Sequence, residues 1–216
     1  MRHARDLTMT LEHQRVGACK GIVTSKSGGV LVDLYAAFGI AVPSAVSLEL
    51  DVDATIVASL FQDVVYAVED SLDQPYGGIH VFTGRDFHKA LWTHKSVRET
   101  FVYNTGASML RQDVPDVFEF GDATWERYRT GAKATADLGA PYIAANEARL
   151  VVTGVDGLFL TRFAPADYND TVNTPGLPMY AQAVPMKNNK GYDYEAQMNA
   201  ISICTRPETL RRLTLT

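Results

Sequence analysis

Cysteine is nearly absent. Cys19 and Cys204 are the only two in 216 residues, far apart and in no C-x-x-C pair. Two thiols cannot make the disulfide framework of a small secreted domain, so composition favours a reducing compartment. Long apolar runs are missing too. No stretch approaches the roughly 18 residues of a membrane span, and no apolar signal core stands near the N-terminus. Synthesis in the cytoplasm and no membrane partner are therefore expected. Positive charge is in deficit, with 20 Lys and Arg against 25 Asp and Glu, a net charge of −5. That argues against a surface built to grip a phosphate backbone, which needs a basic patch or stripe. Gly-x-Ser-x-Gly, Gly-x-Gly-x-x-Gly and Walker-type loops are all lacking, which removes the commonest signatures of hydrolases, dinucleotide enzymes and NTPases.

What is present suits a globular domain. Apolar residues make up 46% and charged residues 21%, in a chain long enough to bury a substantial core. Charge is unevenly placed: residues 1–50 carry +1, 51–185 carry −8 and 186–216 carry +2. The two ends resemble each other more than the middle, as they would if a central domain were inserted into a discontinuous one.

Apolar periodicity assigns the elements. Ala4, Leu7, Leu11 and Ala18 form a narrow stripe that predicts a helix over 2–20, with Gly21 as its C-cap. No Ser, Thr, Asp or Pro precedes this helix, so it reads as cut into rather than begun. A hairpin is predicted from Gly21–Thr24 and Val30–Tyr35 around residues 25–29. Val46–Asp53 alternates as a half-buried strand. A core-facing helix follows over Asp53–Leu72, its stripe made of Val57, Leu60, Phe61, Val64, Val68 and Leu72. Ile79–Phe82 is a short buried strand, and a helix passes through Phe87, Leu91 and Trp92. Ser96 and Glu99 have the spacing of a capping box that starts another helix. Phe118–Arg129 reads as a hairpin with a type II′ turn at Gly121-Asp122. Tyr142–Ala145, Leu150–Thr153 and Leu158–Ala164 are predicted strands. Tyr192, Tyr194, Ala196, Met198 and Ala200 alternate with polar residues, and the phase slips at Ala200-Ile201, which predicts a bulge. Thr205 and Glu208 suggest a second capping box, with Pro207 in the first turn. Helices and strands mix without regular βαβ alternation, so the fold class is α+β.

The candidate chemical groups are weak. Asp86 and His88 are two apart on a helix and face different ways. His88 and His94 are six apart, not the i, i+4 spacing of a helical zinc pair, and His80 stands alone on a strand. Glu119, Asp122 and Glu126 fall on a hairpin, where the turn and a wet strand face account for them. Asp167 and Asp170 lack the Asp-x-Asp-x-Asp-Gly order of a calcium loop. Cys19 and Cys204 sit where buried, inert thiols are expected. Trp92, Tyr103 and Trp125 fall at core-packing positions. Lys187 and Lys190, in the polar turn MKNNKGYD, are exposed-loop candidates for contact with a neighbour. No residue is assigned a catalytic, cofactor-binding or metal role. A small α+β enzyme remains the alternative on residue evidence alone.

Several blocks, in order, resemble one family. They are VVYAVEDSLDQPYGGIHVFTGRDFHKALWTHKSVRETF (64–101), FEFGDATWERYR (118–129), PYIAANEARL (141–150), GLFLTRFAPADYNDTVNTPGLPMY (157–180) and the closing CTRPETL (204–210). The set is similar to the lambda-type major capsid proteins (the protein E family) of tailed bacteriophages. The resemblance implies the tailed-phage major capsid fold of the Hong Kong 97 type, with an axial domain and a peripheral domain crossed by a long spine helix. Carried onto this chain, residues 1–52 and 166–216 would form a discontinuous peripheral part containing the end of the spine helix. Residues 53–165 would form the axial part. It implies a structural protein of a bacteriophage or prophage, not an enzyme and without cofactors, whose main partner is itself, in hexamers and pentamers of an icosahedral head. Scaffold and other head proteins are implied partners, and packaged DNA would be touched only by weak, nonspecific contact. The implied location is the virion, with host cytoplasm before assembly. Family members carry an N-terminal arm and an extended loop before the spine helix. The chain as read is expected to lack both, which raises the alternative of a non-assembling prophage remnant.

Overall fold

The computed structural model describes residues 2–103, 114–131 and 141–216. Helix α1 (Arg2–Lys20) is the longest, and Gly21 ends it with φ 82° and a bond from its N–H to the Ala18 carbonyl. Strands β1 (Ile22–Thr24) and β2 (Val30–Asp33) form the expected hairpin. The second strand stops at Asp33 rather than Tyr35. The Asp33 carboxylate accepts from the N–H groups of Tyr35 and Ala36 and so starts a short helix, α2 (Leu34–Phe38). A local side-chain cap outcompetes the ladder there.

The predicted strand over Val46–Asp53 shrinks to β3 (Val46–Ser47). Leu48 and Leu50 stay buried, their N–H groups bonded to the carbonyls of Thr214 and Leu215, but Glu49 takes φ 48° and the chain leaves the sheet. Helix α3 (Val57–Glu69) begins later than expected and buries Val57, Phe61, Val64, Val65 and Val68. Strand β4 (Gly78–Thr83) and helix α4 (Arg85–Thr93) follow as expected. Helix α5 (Lys95–Tyr103) starts before Ser96, so the Ser96–Glu99 capping box does not form. His94 lies just before it, and its Nδ1 accepts from the Ser96 N–H at 3.3 Å.

Strands β5 (Val117–Phe120) and β6 (Ala123–Arg127) make the expected hairpin. Gly121 and Asp122 have φ 62° and 59°. Positive φ at both turn positions is type I′, not type II′; Asp tolerates this region because its short side chain can bond locally. The predicted strand at Tyr142–Ala145 is a loop. The Ala145 carbonyl leaves any ladder to accept the first N–H groups of α4, those of Asp86 and Phe87. Next come β7 (Glu147–Thr153), β8 (Phe159–Ala164), β9 (Tyr180–Pro185), β10 (Tyr192–Gln197), β11 (Asn199–Cys204) and β12 (Arg211–Thr214). The single strand expected from Tyr192 is thus two. Met198 interrupts it, and the chain changes partner from β9 to β8 instead of making a bulge. The second capping box is also absent. Pro207–Thr209 is only a 3₁₀ turn, and the Thr205 hydroxyl bonds the Gly157 carbonyl at 2.9 Å rather than capping a helix.

The main sheet has six strands in the order β3-β12-β7-β4-β6-β5. Pairings β12–β3 and β4–β6 are parallel and the others antiparallel. On one face the register aligns Phe118, Trp125, Val81 and Leu150 across four strands. Phe61 of α3 and Phe87 of α4 lie against Trp125, with ring centroids 4.8 and 6.3 Å away. Indole Nε1 donates to the Phe120 carbonyl at 2.9 Å, which offsets the cost of burying this polar atom. Truncating such a core aromatic to alanine costs about 3–5 kcal/mol. The architecture is α+β.

Candidate assembly surface

The residues with chemical side chains do not converge. His80 is on the polar face of the sheet, with Nε2 2.9 Å from Glu126 Oε2. His88 is buried in α4 between Thr83 and the Pro115 carbonyl, and His94 lies between α4 and α5 with Nε2 3.1 Å from the Val52 carbonyl. Asp86 is exposed in the first turn of α4. Glu119 points to solvent, and Asp122 sits in the turn. Among the described residues no three His, Cys, Asp or Glu side chains gather as metal ligands would. Asp167 precedes, and Asp170 lies within, a 3₁₀ turn (Asn169–Thr171) whose side-chain bonds run from the Thr171 hydroxyl to the carbonyls of Ala166 and Tyr168. Burial pushes the Cys19 thiol up to about 12 and the Cys204 thiol to about 11, so neither carries the thiolate that reactivity needs. Trp92 and Trp125 are core residues; the side chain of Tyr103 lies outside the described residues.

What the fold leaves uncovered is a ribbon. Among the described residues, strands β9 and β10 pair only with each other, and both are exposed along most of their length. The register puts Tyr192 opposite Pro185, Tyr194 opposite Ala183 and Ala196 opposite Ala181. Directly opposed residues share a face of the ribbon. One face is therefore apolar throughout, and Tyr192 and Tyr194 are 58% and 73% exposed on it. The other face carries Asp193, Glu195, Gln182 and Gln197, together with Tyr180 and Val184. Lys187 and Lys190 flank the tip, where Met186 bonds back to Gly191. The aromatic alternation of YDYEAQ was readable in the sequence; that no described residue covers Tyr192 and Tyr194 was not.

A second two-stranded sheet, β8–β11, lies at the base of this ribbon with α1 packed across it, and Ser202 and Cys204 are buried on it. Val172, Leu177, Met179 and Ile201 add exposed apolar side chains to the same part of the chain. An isolated two-stranded ribbon is marginal in water. Unpaired strand edges and a contiguous apolar patch are the marks of a surface that another chain covers. No cleft with a convergent acid, base and nucleophile accompanies it among the described residues.

The family model described as phage major capsid protein E matches residues 1–215. A chain described as a capsid protein of a prophage, from E. coli CFT073, superposes with a TM-score of 0.65 at 13% identity, covering 100% of this chain and 65% of that one. A phage-related protein from Bordetella bronchiseptica RB50 gives 0.41 at 14% identity, over 79% of this chain and 56% of that one. The satellite phage P4 procapsid gives 0.37 at 12% identity, over 90% and 45%. The last two likenesses are too loose to bear on the fold; the first shows that the fold is shared. The chain spans 65% of the length of that E. coli prophage protein. No curated protein matches it by sequence.

Proposed function

Because the chain belongs to the phage major capsid protein E family, we propose that it is a shell subunit of a phage or prophage head, associating with copies of itself through the β9–β10 ribbon. The observation that carries this is the wholly apolar, uncovered face formed by Tyr192, Tyr194 and Ala196 with Pro185, Ala183 and Ala181. Alternation with one face apolar throughout and the other mostly polar is the pattern of a strand pair with one face meant for burial. Aromatic residues are enriched at the centres of protein interfaces for the same reason. The residue division belongs to the same proposal: 1–52 with 166–216 as the peripheral part and 53–165 as the axial part. Hexamers and pentamers, scaffold and other head proteins as partners, and weak contact with packaged DNA follow from it. The chain is then a structural protein of the virion, formed in the host cytoplasm before assembly.

The test is light scattering over a wide concentration range, on the natural chain and on a Tyr192→Glu/Tyr194→Glu double variant. The natural chain is expected to form particles well above monomer mass. The double variant is expected to remain monomeric with an unchanged circular dichroism spectrum. A natural chain that stays monomeric at every concentration, or a double variant that assembles as well as it does, would sink the reading.

A further inference from the structure

Between the C-terminal half of α1, strand β1 and the β7–β12 pair of the main sheet lies a cavity of about 510 Å³, lined also by Tyr35 of α2 and by residues 42–45. Its lining holds four cations: Lys20 from the last turn of α1, Arg149 from β7, and Arg211 and Arg212 from β12. One carboxylate answers them. Glu147 is buried, and its Oε2 accepts from Arg149 at 3.2 Å and from Arg212 Nε at 2.8 Å. Its Oε1 is taken by the Ala144 N–H at 3.4 Å. Arg211 spends its donors on main-chain carbonyls, those of Ala67 at 2.7 Å, Leu210 at 3.1 Å and Glu208.

Lys20 has no hydrogen-bond or ion-pair partner among the described residues, although it is half-buried. Burial pulls its pKa below the usual lysine range. Glu147 opposes that pull, while Arg149 and Arg212 add to it. The Nε of Arg149 is buried without a partner as well. A desolvated cation with no counter-charge is unfavourable in any protein interior. Four cations around one saturated carboxylate leave the cavity three charges in excess.

We propose that this cavity binds a small oxyanion of the phosphate class, held chiefly by the Lys20 ammonium together with the guanidinium groups of Arg149 and Arg212. Ammonium and guanidinium donors match the charge and the hydrogen-bonding geometry of such an anion. Glu147 orients the two arginines by gripping both through one oxygen, which leaves their remaining N–H groups free to turn toward the cavity. This goes beyond shell formation: occupancy would tie the end of α1 to the C-terminal strand through one ion, and the site would exist in the isolated subunit.

The experiment is thermal unfolding of the full chain against inorganic phosphate, with ionic strength held constant by sodium chloride, joined to calorimetric titration of phosphate. The unfolding temperature is expected to rise saturably with phosphate, as binding to the folded state alone requires. Lys20→Met is expected to weaken binding at least about tenfold, and Lys20→Arg to retain it. Absence of saturable binding by the natural chain would overturn the proposal. So would an undiminished phosphate effect in a folded Lys20→Met variant.

Discussion

His88 is the side chain whose environment has the clearest consequence in solution. It is 1% exposed in α4, with Nε2 2.7 Å from the Pro115 carbonyl and Nδ1 2.8 Å from the Thr83 hydroxyl. The carbonyl can only accept, so Nε2 carries a proton. The Thr83 hydroxyl has one proton for two acceptors, His88 Nδ1 and the Glu126 carbonyl at 2.9 Å. Burial holds His88 below the usual histidine range; the Pro115 bond opposes this and the Arg127 charge reinforces it. His13 is lowered too, by burial first and then by Lys20. A lowered folded-state value means that the unfolded chain binds the proton more tightly, so stability rises with pH through that window. The contribution is fully present above about pH 6.5 and is lost as pH falls toward the depressed value. Melting temperature followed from about pH 8 to about pH 5 is therefore expected to fall on the acid side. His88→Gln is expected to flatten much of that slope. A melting temperature that climbs as the solution is acidified would mean that His88 is charged in the folded protein.

Elements whose own residues decide them were legible in the sequence. The stripe of α3, the alternation of β4 and the β5–β6 hairpin are all set by local pattern, and all appear. Elements decided by distant partners were not. The alternation of Val46–Asp53 promised a long strand, but only Val46 and Ser47 enter the ladder with β12; Leu48 and Leu50 still bond to the carbonyls of Thr214 and Leu215, while Glu49, at φ 48°, turns the chain out of the sheet. The Ser96–Glu99 spacing promised a cap for α5. Instead the Ser96 hydroxyl lies 3.0 Å from His94 Nδ1 and accepts from the Val57 N–H at 3.4 Å, at the start of α3, where no side chain of its own caps the helix. Ser96→Ala is expected to cost about 1 kcal/mol, the usual loss for a helix cap, read from urea denaturation. Glu99→Ala, on an exposed position, is expected to change stability by less than about 0.5 kcal/mol. Equal losses for the two would mean that the capping box forms after all. The candidate surface was half legible in the same sense. Alternation reveals that a ribbon has two unlike faces, but whether its own chain covers the apolar one depends on packing that no local pattern contains.

At the scale of the molecule, the core and the uncovered surface are separate structures, and this makes stability and assembly separable. The core is closed by its last strand. Strand β12 enters between β3 and β7, and Leu213 is fully buried between Val46 and Ala148 in the cross-strand row. Leu48 and Leu50 also depend on it, because their N–H groups bond to the carbonyls of Thr214 and Leu215. Truncating Leu213 removes transfer energy and leaves a cavity beside the β3 edge of the six-stranded sheet. Leu213→Ala is therefore expected to cost about 2–5 kcal/mol, seen as a lower midpoint in denaturant with no change in the ribbon. Tyr194 is on the ribbon, exposed and outside that core. Tyr194→Ala is expected to shift stability by no more than about 0.5 kcal/mol while weakening self-association measured by sedimentation. The two substitutions thus have opposite signatures: one lowers stability at the level of the monomer, and the other lowers particle mass with the monomer intact. If Tyr194→Ala instead lowered stability as far as Leu213→Ala, the ribbon would be packed against its own chain in solution, and the surface assigned to a neighbouring copy would already be occupied.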